Sequence, residues 1–420
     1  MIGTINQSMP EATIVGAGIA GMLAAYVLDA RGYRVTLIEA KRRAGGLIQT
    51  RQTDFGIAES AAHSLIATEA VHELCRELGV ELIAPRKEAK AKYVVRNGKL
   101  TRFPLTLRET LDSICHAAFA RSRNGENDTL DRWAHRHLGN AACDYLLTPF
   151  VRGIYGVQPA ELGTSAALPF LHLPEGQTVL SAFARHRIKS QKKSSKQRVA
   201  PRLGMGDLVS KLEKRLEQRL GSRFRKGEEL RDLPEAANVI LATPAYAAAQ
   251  LLEPSAPDLA AVLRKVRYTP IVSVTTFVER KAFERPLHGV GVLMPACENT
   301  KSLGILFNSS SFEHRVTDDS RLASFTVMMG GTACPGWLNA NDEEIEQAIK
   351  LEFSELLGIR EPLTTFIHRW PFALPQYGTD LPNVWAFARK SWCAQPGHLL
   401  FGNYTGQISL RGMIESAVAL

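Results

Sequence analysis

ATIVGAGIAGMLAAYVLDARGYRVTLIEA, residues 12–40, is the segment that decides the fold of this chain. Apolar residues 12–15 predict a short buried strand, which breaks at a glycine-rich turn. A helical run follows from Met22 to Ala30, and Gly32 ends it. Residues 34–39 then alternate apolar side chains and close on a carboxylate. Strand, glycine turn, helix and strand in this order predict a βαβ unit that binds a dinucleotide.

The turn GAGIAG gives each of its glycines a separate task. We expect Gly16 to permit the tight turn, Gly18 to let the backbone approach a pyrophosphate, and Gly21 to allow close packing of helix on strand. Ile19 and Ala20 lie at the helix N-terminus, where unpaired N–H groups and the positive end of the helix dipole attract phosphate. These five residues are therefore predicted to hold the diphosphate of the cofactor.

The second strand ends at Glu39, followed by Ala40. A carboxylate in this place can accept hydrogen bonds from both ribose hydroxyls, and it would repel a 2′-phosphate. The sequence therefore argues against NADP, and both residues join the predicted cofactor site.

A second glycine-rich segment, KRRAGGLIQT at 41–50, follows directly and distinguishes FAD from NAD. A nicotinamide dehydrogenase has no need of it. The segment resembles the R-x-G-G stretch that flavoproteins of the amine oxidase superfamily carry at this point. The resemblance implies that Arg43, Gly45 and Gly46 lie along the FAD diphosphate and the flavin, with Leu47 beside them.

Composition excludes several classes of protein. The chain has 420 residues, 45% hydrophobic and 22% charged, which is ordinary for a globular protein of two or three domains. No apolar run is long enough to span a bilayer, and no cationic leader precedes the glycine turn, so we expect a cytoplasmic protein. Six cysteines are scattered without a C-x-x-C pair, which predicts reduced, buried thiols and no metal.

The net charge of +9 comes mainly from one stretch, residues 185–202. It contains eight Lys and Arg residues, with no acid between Glu175 and Asp207, so the rest of the chain carries a net charge of only +1. This distribution predicts a mobile polar loop and gives no indication of nucleic-acid binding. Peripheral contact of the loop with the anionic inner face of the cell membrane is the alternative.

The remaining pattern predicts helices first and strands later. Residues 92–103 form a predicted hairpin around the Asn97-Gly98 turn. Predicted helices follow at 107–120, 129–138, 141–147 and 206–220, and predicted strands at 238–245, 271–278, 290–294, 303–307, 323–329 and 363–368. A helix at 342–357 separates the last two of these strands. Sheet and helix return at 399–403 and 411–419.

We therefore predict an α/β fold, α+β overall, with a discontinuous Rossmann-type FAD-binding domain. That domain comprises 1–88, 203–268 and 396–420. A helical domain with the basic loop covers 109–202. A substrate-binding domain with a mixed sheet covers 89–108 and 269–395.

Several segments resemble the oxygen-dependent protoporphyrinogen oxidase family within the flavin amine oxidase superfamily. Besides the two glycine motifs, they are RNGKL at 96–100 with Pro104, LTPFVRGIYG at 147–156, RWPFALPQY at 369–377, and GNYTG at 402–406 with RGMI at 411–414. The last pair is similar to the family's final FAD-contacting turn and helix, which implies that Gly402, Asn403 and Met413 contact the cofactor. Where the family tends to show Glu-x-Gly-Pro-x-Ser, this chain has ESAAHS at 59–64, with Ala61-Ala62 in place of Gly-Pro.

The resemblance implies an FAD-dependent oxidase of haem biosynthesis that converts protoporphyrinogen IX or coproporphyrinogen III to the porphyrin. Molecular oxygen is the acceptor and hydrogen peroxide the product. Arg108 matches a family position implicated in holding a substrate propionate, and a helix-surface arginine is the alternative reading. Two other functions stay open at this point. One is an oxidase or desaturase that acts on an amine, an isoprenoid or a tailoring substrate, and the other is a non-redox sugar mutase that uses reduced flavin.

Overall fold

The structure, a computed structural model, describes residues 1–420 except 9, 123–127, 183, 185–196, 285 and 361–363. Its strands are β1 Ile2–Gly3, β2 Glu11–Val15, β3 Arg34–Glu39, β4 Thr50–Thr53, β5 Gly56–Glu59, β6 Leu65–Ile66, β7 Leu82–Ile83, β8 Lys92–Arg96, β9 Lys99–Thr101, β10 Arg198–Pro201, β11 Phe224–Lys226, β12 Val239–Leu241, β13 Tyr268–Glu279, β14 Gly291–Leu293, β15 Ser302–Phe307, β16 Leu322–Gly330, β17 Thr364–Pro375 and β18 His398–Leu400.

The α-helices are α1 Ile19–Ala30, α2 Glu69–Leu78, α3 Leu107–Phe119, α4 Leu130–Leu138, α5 Asn140–Ala142, α6 Thr148–Tyr155, α7 Thr164–Ala167, α8 Met205–Leu220, α9 Ala245–Leu252, α10 Pro257–Leu263, α11 Asn308–Ser311, α12 Asp342–Glu352, α13 Leu381–Lys390 and α14 Leu410–Val418. Two π-helical segments, Cys143–Leu147 and Phe353–Leu357, extend α5 and α12.

The predicted dinucleotide-binding sheet has six strands in the order β1-β18-β12-β2-β3-β11. All its neighbouring strands pair parallel except β1, which runs antiparallel to β18. Its strands come from three separated parts of the chain, so the predicted discontinuous Rossmann-type sheet is confirmed. The side chains of Ile14, Leu23, Leu28 and Leu37 are fully buried in its core.

A mixed seven-stranded sheet, order β17-β13-β16-β15-β14-β8-β9, accompanies the parallel one, as predicted. Strand β13, next to the edge strand β17, pairs antiparallel with both β16 and β17 over most of its length. The 92–103 hairpin joins this sheet because β8 pairs parallel with β14. The exact domain boundaries stay a prediction.

The helical block between the sheets is unusually apolar on its outside. Helix α3 has no buried residue, and its Leu107, Leu111 and Ile114 side chains are exposed. No helix in the described ranges is long and apolar enough to cross a membrane.

The predicted basic loop is only partly described. Arg185, Arg187, Lys189, Lys192, Lys193 and Lys196 lie outside the described residues. The prediction of a loop through Arg202 is wrong at its C-terminal end, because Arg198–Pro201 form β10, which pairs with both β6 and β7. Two apolar residues in this strand, Val199 and Ala200, are buried. Their burial favours the strand although the neighbouring residues in the sequence are polar.

Other differences concern the ends of elements. The strand predicted at 238–245 ends at Leu241, since Pro244 caps the following helix α9. The strand predicted at 363–368 continues as β17 to Pro375, because it pairs with β13 on both sides of an irregularity at 371–373, while Leu363 lies outside the described residues. Cys115, Cys297 and Cys334 are exposed, so the prediction of buried thiols holds only for Cys75, Cys143 and Cys393.

Candidate functional site

The glycine turn after β2 presents a bare helix N-terminus. Gly16 has a left-handed φ of 98°, and a Cβ at Gly21 would overlap the Gly16 carbonyl oxygen, so α1 can start against the strand only with glycine at both positions. Gly18 is the N-cap of α1 and supplies no side-chain cap, and the first turn with Ile19 and Ala20 contains no acidic residue. The first N–H groups of α1 are therefore available to an anion.

The second glycine segment lies directly against this turn. The Gly45 N–H donates to the Ala17 carbonyl at 2.8 Å, and Gly45 forms a parallel bridge with Gly18. A Cβ on Gly46 would come within 3.3 Å of the Gly18 Cα, whereas a Cβ on Gly18 would meet no atom within 4 Å. The two motifs thus form one cradle, with open space over Gly18 for a diphosphate.

Arg43 braces the loop of this cradle. Its guanidinium donates to the carbonyl of Ala44 at 2.9 Å and to the carbonyl of Gly46. Leu47 follows, and its carbonyl accepts from the Ser60 hydroxyl at 2.7 Å. In this geometry Arg43 holds the backbone of the glycine pair in place.

Glu39 stands at the carboxyl end of β3, beside the same turn, with Ala40 after it. One carboxylate oxygen accepts from the Ala17 N–H at 2.7 Å and the other from the Lys41 N–H at 3.0 Å. The carboxylate is therefore fixed at the edge of the sheet where a ribose would lie.

The C-terminal segment closes the cradle from the other side. The Phe401 N–H donates to the Leu241 carbonyl, which brings Gly402 and Asn403 next to the ends of β12 and β2. Helix α14 contacts α1, and its Met413 is buried in the hydrophobic cluster that contains Ile19 and Ala20. The predicted cofactor residues, although far apart in sequence, therefore surround one site.

The RWPFALPQY segment ties the seven-stranded sheet to this site, a role that sequence reasoning missed. The Trp370 indole N–H donates to the Ser60 carbonyl at 2.8 Å, and the Tyr377 hydroxyl donates to the Asn403 carbonyl. Ser60 begins the turn with Ala61-Ala62, so Trp370 holds the segment in which this chain departs from the family pattern. The only signal for these contacts was the length of the family-specific segment.

Arg108 lies apart from the cradle, exposed in the first turn of α3. The start of that helix is well anchored, because Thr106 and Glu109 form a capping box and Glu109 makes two 2.8 Å hydrogen bonds with Arg96. Among the described residues, Arg108 makes no hydrogen bond or ion pair, so its guanidinium is available to a ligand. Its role as a propionate anchor stays a prediction.

Buried titratable groups lie immediately after β5. Burial raises the pKa of Glu59 to about 7, although its carboxylate accepts from the Thr50 hydroxyl and the Met205 N–H. Burial lowers the pKa of His63 to about 3, so its imidazole is neutral at physiological pH.

The expectation of no bound metal also stays a prediction. Asp131, His135 and Cys143 each place one potential ligand atom within 4.8 Å of the others. Burial raises the pKa of the Cys143 thiol to about 12, which disfavours the thiolate that a metal requires.

A parallel sheet with a glycine cradle at its strand ends, joined to a second mixed sheet, defines a dinucleotide-binding flavoprotein. The model of the flavin-containing amine oxidoreductases matches residues 19–419, and the chain belongs to this family. Its cofactor is FAD, and the glycine cradle fits the diphosphate of that group.

Individual relatives agree with the family. Protoporphyrinogen oxidase 2, chloroplastic/mitochondrial, of Arabidopsis thaliana is 28% identical over 96% of this chain and 91% of its own length. A solved structure assigned to protoporphyrinogen oxidase, from Exiguobacterium sp. 255-15, has a TM-score of 0.78 at 20% identity and covers 97% of each chain. Reduced UDP-galactopyranose mutase has a TM-score of 0.72 at 14% identity over 98% of this chain and 92% of that one. The chain is thus a flavin-dependent oxidoreductase similar to protoporphyrinogen oxidases, and the two solved structures show its fold.

Proposed function

We propose that the protein oxidises a porphyrinogen, protoporphyrinogen IX or coproporphyrinogen III, to the porphyrin in haem biosynthesis. Molecular oxygen is the electron acceptor and hydrogen peroxide the product. The observation that carries this proposal is the relation to the Arabidopsis protoporphyrinogen oxidase, which extends over nearly the whole of both chains.

An apolar stripe on α6 and the π-helical segment before it supports a flat, apolar substrate. Leu146, Phe150 and Ile154 follow one another at four-residue spacing and are each about 40% exposed. The opposite side of α6 is anchored, because Arg152 is buried and donates to the Met294 carbonyl at 2.9 Å. Phe150 and Ile154 belong to the LTPFVRGIYG segment that resembles the porphyrinogen oxidases, and Leu146 directly precedes it.

Six electrons leave the porphyrinogen in three two-electron oxidations, and each reduces one oxygen molecule to hydrogen peroxide. FAD, when bound, supplies the two-electron acceptor at N5 of the flavin. A pyrrole nitrogen lone pair assists the loss of hydride from the neighbouring bridge carbon, so the protein needs little acid–base chemistry. Its residues have the tasks of positioning: the glycine cradle holds the cofactor, Trp370 fixes the Ser60 turn, and Arg108 anchors a propionate.

Peripheral contact with an anionic membrane surface is a further part of the proposal. The two described cations of the basic stretch are engaged elsewhere, since Arg198 stacks on Phe312 and Arg202 pairs with Glu81 at 3.2 Å. Any contact must therefore come from the basic residues at 185–196. Binding to anionic vesicles should weaken with added salt, and a deletion of 185–196 that leaves binding unchanged would exclude this role.

An aerobic fluorescence assay of the FAD-loaded protein with both porphyrinogens tests the function. We expect porphyrin fluorescence to appear faster than in a no-enzyme control, with three molecules of oxygen consumed and three of peroxide formed for each porphyrin. Oxygen consumption with an amine or isoprenoid and none with a porphyrinogen would instead identify another oxidase of the family. Absence of oxygen consumption, with turnover of a UDP-sugar by the reduced protein, would identify a mutase.

A further inference from the structure

A small cavity lies behind the Ser60 turn, where three parts of the chain meet. Its volume is about 40 Å³, enough for a few water-sized molecules at roughly 10–15 Å³ each. One wall comes from β5 and the turn after it, a second from β10, and the third from the segment around α11 on the seven-stranded sheet. The polar and charged side chains that line it include those of Glu59, His63, Arg198, Ser311 and Arg315.

Arg315 is buried in this wall with part of its guanidinium unpaired. The residue is 4% exposed, and one nitrogen donates to the Pro201 carbonyl at 2.8 Å. Its Nε and Nη1 atoms are buried and have no hydrogen-bond partner among the described residues. Within the same residues no carboxylate lies within 4.0 Å of this guanidinium, and the two oxygens of Glu59 accept hydrogen bonds from Thr50 and Met205. A buried cation with unpaired donors is costly, so a compensating group is expected.

A second guanidinium, that of Arg198, lines the same cavity. The Arg198 and Arg315 side chains stack on the same Phe312 ring, with distances of 5.2 and 5.7 Å from guanidinium carbon to ring centroid. Arg198 has only one weak contact in the wall, a 3.4 Å hydrogen bond to the Ser311 hydroxyl. The Nε2 atom of His63 also lines this region, buried and without a partner among the described residues.

The charges around the cavity do not balance. Two guanidinium groups and one carboxylate line it, and burial keeps that carboxylate, Glu59, partly protonated near neutral pH. Water molecules can fill the volume and satisfy N–H donors, but they cannot neutralise the charge of two cations that line one small cavity of low dielectric constant.

We propose that this cavity binds a small monovalent anion, of the size of chloride or formate, between Arg198 and Arg315. The anion accepts the free N–H donors of both arginines through charge-assisted hydrogen bonds. Arg198 belongs to a strand paired with β6 and β7, whereas Arg315 follows α11 of the seven-stranded sheet. The bound anion thus joins the cofactor side of the molecule to the substrate side. This site is independent of the substrate proposed above.

Thermal unfolding of the FAD-loaded protein tests the site. Chloride or formate replaces gluconate, an anion too large for the cavity, at constant ionic strength. We expect a saturable rise in Tm, of roughly 2 °C at an anion concentration ten times Kd. A Tm that does not change between gluconate and either small anion would overturn the proposal.

Variants assign the effect to the cavity. Arg198→Met keeps the length of a half-buried side chain and should abolish the chloride-dependent rise. Arg202→Met is the matched control. Arg202 directly follows β10, but its guanidinium pairs with Glu81 at the surface. Arg315→Met should also abolish the rise, and if this variant does not fold, Arg198→Met suffices. An equal chloride response in Arg198→Met and Arg202→Met would contradict the proposal.

Anomalous diffraction from bromide can locate the bound anion directly. Crystals of the holoenzyme soaked in bromide should show an anomalous peak between the two guanidinium groups. A cavity filled only with water would show no such peak, and the proposal would then be wrong.

Discussion

The glycine cradle and the arginine cavity are two sites built in opposite ways. Most of the cradle comes from one stretch, residues 12–50. There the backbone conformation forms the site, through glycines at left-handed φ and a helix N-terminus without a side-chain cap. The cavity is assembled from side chains of distant segments, with Arg315 bonded to a carbonyl 114 residues away. The comparison teaches that a site made by local backbone geometry is visible in the sequence, whereas one made by long-range burial of charge is not.

The cradle can be broken without breaking the fold, which gives the largest expected effect. Gly18→Val places its side chain in space that no protein atom occupies, at a φ of −64° that valine tolerates. It should block the diphosphate and remove two or more charge-assisted hydrogen bonds, a loss of at least about a hundredfold in FAD affinity. Flavin absorbance of the purified variant measures it.

Two other glycines serve as controls for that variant. Gly336→Val also enters open space, but on a different part of the chain, and should retain full FAD content. Gly21→Ala would overlap the Gly16 carbonyl and should lower the Tm of the apoprotein itself. Full FAD occupancy in Gly18→Val would refute the assignment of this turn.

The cavity side of the comparison predicts a pH effect at Glu59. Because its folded pKa is raised to about 7, the protonated form is favoured in the native state. Titration of this carboxyl therefore leaves the free energy of unfolding unchanged below its unfolded pKa near 4.5. As the pH rises from there to about 7, the free energy of unfolding falls progressively, and above pH 7 it is lower by up to about 3 kcal/mol.

Glu59→Gln removes this titration. The free energy of unfolding of the variant, relative to the parent, should increase between pH 5.5 and pH 8, whatever the absolute cost of losing an acceptor for Met205. Urea unfolding at both pH values measures this difference. A constant difference would mean that Glu59 titrates alike in the folded and unfolded states.

Arg108 tests whether an exposed side chain on α3 acts on substrate. An arginine–propionate pair contributes on the order of 1.5–3 kcal/mol, so Arg108→Ala should reduce kcat/KM with a porphyrinogen roughly ten- to a hundredfold. The loss should lie mainly in KM, because a propionate is bound alike in the ground and transition states.

Further variants separate this role from a helix-surface arginine. Arg108→Lys should recover only part of the loss, since lysine lacks the planar fork. Arg76→Ala, at a side chain 78% exposed on α2, is the matched control and should leave the kinetics unchanged. If Arg108→Ala behaves like Arg76→Ala, the propionate anchor lies elsewhere.

The smallest effect is expected at Trp370, which links the two sides of the molecule. Trp370→Phe keeps an aromatic ring, although a smaller one, and removes the N–H that donates to Ser60, at a cost of about 1 kcal/mol for that hydrogen bond. We expect FAD affinity to fall by about fivefold, measured by fluorescence titration of the apoprotein. Trp337→Phe is the control, and an equal change in both variants would show that the Ser60 contact does not support the cofactor site.

The sequence by itself determined the βαβ unit, the two glycine motifs and the Asn97-Gly98 hairpin. Each of these depends on residues within a few positions of one another, because φ preferences, hydrophobic periodicity and capping act locally. The resemblance to known flavoproteins added the C-terminal segment around Gly402.

Tertiary structure alone decided the rest. It made a strand of Arg198–Pro201 inside a basic stretch, brought Trp370 to a carbonyl 310 residues away, and placed Arg198 and Arg315 on one phenylalanine ring. These outcomes depend on which distant groups share a buried volume. Burial and partner choice are set by the packing of whole sheets, and neither residue spacing nor local propensity encodes them.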